Sequence, residues 1–272
     1  MSQRPAHGAP AAGGSDSVLK SDGLVGFVRS ELAANADPAK ARGMAAYMKT
    51  TQPFFGVMNT PRREIMQRAW LRFPPADAAA WRSAVGALFE AGKGGDRQGE
   101  NEIAPRRDST MRPPRWHGQR EYFYMACEYA ERGKAFNNAA ALPMFKTMIV
   151  QSGWWDIVDW IAGKLIGGSG RAFDTDPQRV SAVMDKWIDD RDLWVRRAAI
   201  ICQLHRKDRI DPRMLERFCL SRAHEKDFFI RKAIGWALRQ HARTDPKWVS
   251  AFLSSHGARL SPLSVREASK HL

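Results

Sequence analysis

Cysteine is scarce in this chain of 272 residues: Cys127, Cys202 and Cys219 are an odd three with no CxxC spacing. That pattern excludes a disulfide framework and a thiolate zinc site, and predicts reduced, buried thiols. The seven histidines form no HxxxH or mixed His/Asp cluster, so neither a catalytic metal nor a cofactor is expected. No GxxxxGK followed by Ser or Thr occurs. The small residues Gly167-Gly-Ser-Gly170 lack that lysine and a preceding strand, and predict a loop. Long apolar runs are also missing. Lys146 interrupts the best of them, 142–150, which argues against a membrane span, and the N-terminus lacks the apolar stretch of a signal peptide. These absences predict a soluble cytoplasmic protein.

Acidic residues are outnumbered, 29 Asp+Glu against 43 Lys+Arg, giving a net charge of +14 and a pI near 10.1. Such a balance points to a polyanionic partner, nucleic acid ahead of a membrane surface. Ten tryptophans against four tyrosines provide large ring surfaces for packing or stacking.

Residues 1–17 are a low-complexity stretch predicted to be a disordered tail, with one folded unit over 18–272. Helical periodicity predicts helices over 18–34, from Pro38 through Met48, and over 62–73 and 78–90. Helices then follow nearly continuously over 119–132, 138–151, 153–166, 177–188, 192–206, 212–222, 226–242 and 245–255. No segment alternates as a strand does, so the fold class is all-α. The Thr50–Gly56 turn carries aromatics that look exposed. Residues 91–117, rich in Gly, Pro and Arg, predict a flexible inserted loop. Its Arg106, Arg107, Arg112 and Arg115 are candidates for a nucleic-acid backbone or for a plain solvated surface.

The helices repeat. Asp192-Leu-Trp-Val-Arg-Arg-Ala-Ala199 aligns with Asp227-Phe-Phe-Ile-Arg-Lys-Ala-Ile234, and a weaker copy begins at Ile157. A recurrence of this kind predicts a helical-repeat solenoid of stacked antiparallel helix pairs with a concave basic face. Arg196 and Arg231 occupy equivalent positions, as do Arg197 and Lys232, and are candidate DNA contacts.

The densest stretch is Gly153-Trp-Trp-Asp-Ile-Val-Asp-Trp160. On a helix Trp155 and Asp159 share one face, an indole beside a carboxylate. Asp156 is expected to cap or pair structurally. Taken alone, the motif also fits a core helix with buried tryptophans and paired aspartates.

Several ordered blocks together resemble the bacterial AlkD-like DNA alkylation repair glycosylases, built of HEAT-like repeats. They are Tyr47-Met-Lys with Pro53-Phe-Phe-Gly56, Ser152-Gly-Trp-Trp-Asp-Ile-Val-Asp159, Leu193-Trp-Val-Arg-Arg-Ala-Ala-Ile200, 228–239 and 260–270. The resemblance spans most of 18–272. The loop at 91–117 looks inserted relative to it, and the spacer around Gly167–Arg171 slightly lengthened. It implies excision of alkylated purines, typically 3-methyladenine and 7-methylguanine, from double-stranded DNA, with the lesion left stacked in the duplex rather than flipped into a pocket. Carried over position by position, the active-site carboxylate falls on Asp159, the lesion-side tryptophan on Trp155, a backbone-anchoring arginine on Arg197 and a second tryptophan on Trp236. A cleft-lining tyrosine falls on Tyr47.

The chemistry is consistent. Breaking an N-glycosidic bond builds positive charge on the sugar, which a carboxylate stabilises while orienting water. A purine alkylated at N3 or N7 already carries charge and leaves neutral, so one carboxyl group suffices. Tryptophan faces favour the cation, and an arginine fork holds a phosphate. The structural alternative for Arg197 is an ion pair with Asp192. A different class of function is also open: a non-catalytic helical-repeat module binding branched or bent nucleic acid, or a protein. One chain supplies the whole cleft, so a monomer is expected.

Overall fold

Among the described residues, seven helices start on an aspartate. Asp37, Asp176, Asp211 and Asp245 each precede a proline and accept hydrogen bonds from the first free backbone amides of a helix, and Asp77, Asp192 and Asp227 cap without proline. Each cap contributes about 1 kcal/mol, and the proline presets the first turn.

The computed structural model describes residues 14–94, 108–110 and 116–272, with side chains from Ser21 onward. The described residues form α1 (Gly14–Ala34), α2 (Pro38–Met48), α3 (Asn59–Arg72), α4 (Ala78–Lys93), α5 (Glu121–Arg132), α6 (Leu142–Ser152), α7 (Trp155–Trp160), α8 (Ala172–Thr175), α9 (Pro177–Trp187), α10 (Leu193–Ile201), α11 (Pro212–Ser221), α12 (Phe228–Ala242), α13 (Pro246–His256) and α14 (Pro262–Ala268). Among them there is no strand, and no helix is long and apolar enough to cross a membrane. The all-α helical-repeat architecture is the one expected.

One row runs through the molecule: α3, α5, α7, α10, α12 and α14, each packed on the next. Other helices cover it, with α1 on α3, α4 on α5, α6 on α7 and α10, α9 on α10, α11 on α10 and α12, and α13 on α12. Every residue of α10 is buried.

An ion pair spans each junction of the row. Arg62 meets Glu128 at 2.9 Å between α3 and α5. Arg120, just before α5, meets Asp156 of α7, and Asp159 of α7 meets Arg197 of α10 at 2.8 Å. Arg196 of α10 meets Glu225, before α12, at 2.9 Å. Lys232 and Arg239 of α12 share Glu267 of α14, whose carboxyl is held down at about 2, chiefly by the Lys232 hydrogen bond. Buried pairs add little against apolar substitutes, but orphaning one partner is costly, so these clamps penalise any other helix register. The α12–α14 crossing also needs Gly235: a Cβ there would lie 2.6 Å from Glu267 Cβ and 2.8 Å from the Ser264 carbonyl oxygen.

Several expectations change. α1 begins at Gly14, inside the expected tail, while residues 1–13 lie outside the described residues. The helix expected over 153–166 is α-helical only to Trp160 and continues as a π-helical turn, Ile161–Ile166. The helix expected over 192–206 stops at Ile201, and the Gln203 side chain ties off the turn by bonding both the amide and the carbonyl of Asp211. α14 was missed because its seven residues are too few to reveal a period. Phe54 is buried and Phe55 half-buried rather than exposed, because the Glu121 carboxylate accepts the amides of Phe55, Gly56 and Val57 and pulls that turn inward.

Of the expected loop, 95–107 and 111–115 lie outside the described residues, and with them Arg106, Arg107, Arg112 and Arg115. The described parts are tied down. Ser109 donates its amide to Asp227 at 2.8 Å, and the Trp116 indole donates to the Gln151 carbonyl at 2.9 Å. The three cysteines are free and buried, and burial pushes the Cys202 thiol up to about 12.

Candidate active site

α7 is placed from its first residue. Gly153 takes a left-handed conformation (φ 53°) that closes α6, as glycine does without a Cβ penalty. The next residue, Trp154, turns inward against Trp194 and Phe229, ring centroids 5.9 and 5.7 Å away. Of the tryptophan pair, Trp154 therefore anchors α7 to α10 and α12. Trp155 faces elsewhere, half-buried, with its ring edge-on to Tyr47 at 6.3 Å. Tyr47 is 73% exposed.

A polar relay brings α2 to α7. Beyond Tyr47, the Gln52 amide donates to the carbonyls of Gly92 and Gly118, and its oxygen accepts from Arg120 at 2.9 Å. Arg120 is buried and donates its Nε to Asp156 Oδ2 at 3.1 Å, and the Tyr124 hydroxyl adds a bond to the same oxygen at 2.7 Å. Burial alone would make Arg120 easier to deprotonate, but Asp156 and Tyr124 together more than reverse this and hold it cationic. Asp156 is thus a structural partner.

Asp159 takes the other direction. Arg197 grips it with two parallel bonds, Nε to Oδ1 and Nη2 to Oδ2, both 2.8 Å, while Nη1 donates to the Phe229 carbonyl at 2.7 Å. The arginine is 4% exposed and the aspartate side chain 14%. Burial pushes the Asp159 carboxyl above the ordinary aspartate range, Arg197 opposes that, and Asp156 adds to it. The expected alternative, Arg197 with Asp192, does not form: Asp192 is engaged in capping α10.

The structure therefore joins Tyr47 to Trp155 and Asp159 to Arg197, with Trp155 and Asp159 one turn apart on α7. Trp236 is half-buried against the core on α12, the helix whose first turn Arg197 holds through Phe229. Repeat-equivalent cations do not share partners. Arg196 is buried against Glu225, Arg231 is half-buried with its Nε toward the Asp227 carbonyl at 3.4 Å, and Lys232 pairs with Glu267. Among the described residues, no group of three or more His, Cys, Asp or Glu is arranged to hold a metal ion.

The model of the DNA alkylation repair enzyme family matches residues 28–98 and 116–272. The chain belongs to that family. The DNA alkylation repair match omits residues 99–115 and includes Tyr47, the α7 carboxylates and Arg197. A solved structure, the predicted DNA alkylation repair enzyme from Enterococcus faecalis, is similar over 87% of this chain and 96% of its own, with 25% identity and a TM-score of 0.71. No curated protein matches. In this member of the DNA alkylation repair family, Arg120, Tyr124 and Gln52 join the site without having been expected there from the sequence. A signal for Arg120 was present, since an arginine opening a nearly all-buried helix needs a buried carboxylate.

Proposed function

We propose that this DNA alkylation repair enzyme is a glycosylase that releases cationic alkylated purines, such as 3-methyladenine and 7-methylguanine, from duplex DNA. The observation that carries the reading is the Asp159 carboxylate, partly open, gripped by an arginine fork, and one helical turn from the half-buried Trp155, whose ring meets the exposed Tyr47.

The bond between sugar C1′ and the purine nitrogen breaks with its electron pair going to the base, which leaves neutral. Asp159 faces the cationic sugar that remains and accepts a hydrogen bond from a water molecule. The water oxygen bonds to C1′, its proton passes to the carboxylate and then to solvent, and an abasic site results. Electrostatic stabilisation of this kind is worth about 10²–10³ in rate. Trp155 and Trp236 supply π-faces to the cation. Arg197 keeps Asp159 ionised and aimed, and two of its N–H bonds remain for a phosphate beside the lesion. Tyr47, Arg231 and Lys232 follow the backbone, with Arg196 bracing α10 behind them. The lesion stays in the duplex, the reaction needs no metal or cofactor, and one protomer is sufficient.

A non-catalytic reading has one observation in its favour: the Asp159–Arg197 pair resembles the Arg62–Glu128 clamp at another junction. A binding module of that kind would lose affinity steeply with salt and ignore lesions. The test is incubation with methylated duplex DNA in the presence of a chelator. Release of free methylated purine supports the glycosylase, whereas salt-sensitive binding without release supports the module.

A further inference from the structure

Trp160, next in sequence to Asp159, lines a separate pocket of about 330 Å³ that Asp159 does not line. Three features set what it accepts. Glu128, 6% exposed, receives Arg62 on Oε1, but its Oε2 is buried without a hydrogen-bond partner. An ionised carboxylate only accepts, so the ligand must present an N–H or O–H. Arg171 donates Nη2 to the Glu131 carbonyl at 2.6 Å, while its Nη1 is buried and unpartnered, and so calls for an acceptor. The Trp160 indole is pinned by its N–H to Glu131 Oε2 at 3.0 Å, and one ring face lies under Lys164 Nζ at 4.4 Å from the centroid. The remaining wall is cationic: Arg63 and Arg132 are exposed and Lys164 is half-exposed.

A ligand that is flat and aromatic, carries a donor beside an acceptor, and bears an anion is a nucleotide. Every base has a neighbouring donor and acceptor on its pairing edge, so the pattern selects the class rather than one base. The volume suits a ligand of that size. The two carboxylates in the wall disfavour a bare phosphate or a plain duplex backbone.

We infer that this pocket binds a nucleotide. The base stacks on Trp160 in place of the Lys164 ammonium, and its pairing edge sits between Glu128 and Arg171. The phosphate meets Lys164, Arg63 and Arg132. The source is either a free nucleotide or an unpaired nucleotide of a strand. The site stands apart from the proposed base release, since no residue assigned to that reaction lines it.

Calorimetric titration of the full chain with AMP tests this. AMP binds one to one with a dissociation constant between about 10 μM and 1 mM, and inorganic phosphate binds about tenfold more weakly or less. Trp160→Leu and the double variant Lys164→Ala/Arg132→Ala each weaken AMP about tenfold or more. Circular dichroism checks folding, and if Trp160→Leu fails to fold, the surface double variant carries the test. A duplex with one unpaired nucleotide competes with AMP if the source is a strand. A duplex that does not compete, with AMP still bound, assigns the site to free nucleotide. The proposal is overturned if AMP shows no binding at about 5 mM, if phosphate binds as tightly, or if the double variant binds AMP unchanged.

Discussion

Removing Arg197 exposes how the candidate site is held. In Arg197→Ala two charge-assisted bonds to Asp159 and one to the Phe229 carbonyl disappear. Orphaning one partner of a buried pair costs about 3–5 kcal/mol, and the 14% exposure of Asp159 places this case near the lower bound, about 3 kcal/mol. For a chain of this size that lowers Tm by roughly 5–10 °C. The loss should depend on pH. Without the guanidinium, burial is unopposed and the Asp159 carboxyl rises further above its unfolded value. A carboxyl raised in the folded state favours folding while protonated, and that contribution is lost as pH climbs through the unfolded and then the folded pKa. The gap between wild type and variant is therefore small at about pH 4 and full at about pH 7.5. Urea unfolding followed by far-ultraviolet circular dichroism at both pH values measures it. An equal gap at both, or none at either, would show that the Asp159–Arg197 charge pair does not set the loss.

Asp156→Asn leaves Arg120 buried without its carboxylate. It should lower Tm by several degrees, yet keep base release by folded protein within about tenfold of wild type; loss of release with unchanged Tm would make Asp156 the reacting group instead. The same change removes a charge that raises Asp159, so the acid limb of the rate profile moves to lower pH, whereas Arg197→Ala moves it to higher pH. Profiles shifted the other way would contradict the assigned couplings. Trp155→Ala removes a half-buried ring that touches Tyr47. Release of a cationic purine should fall about 2- to 30-fold, from roughly 0.5–2 kcal/mol of cation–π stabilisation, with unchanged rates counting against its role.

Local signals carried much of the fold into the sequence. Asp-Pro pairs mark four helix starts, and the recurrence of Asp192–Ala199 at Asp227–Ile234 reveals the repeat. The pairing of charges was not legible, because it depends on helix register. Arg197 has a carboxylate five positions earlier in Asp192, but that group caps its own helix and the partner comes from α7. Equivalent repeat positions also diverge: Arg197 reaches back to Asp159, and Lys232 reaches forward to Glu267. Tyr47 meets Trp155 at a junction where Gln52, Arg120 and Asp156 also link the end of α2 to α7, a chain of contacts no spacing rule contains. The short α14 and the π-helical turn after Trp160 left no periodic trace.

In the proposed reaction the Asp159 carboxylate performs the hydrolysis. Single-turnover release of 7-methylguanine from methylated duplex DNA, wild type beside Asp159→Asn with a chelator present, tests that role. The amide keeps an acceptor for Arg197 but loses the charge. The wild type should release base without metal and the variant about 10²-fold or more slowly, with duplex binding retained. Equal rates from the two proteins would remove Asp159 from the reaction.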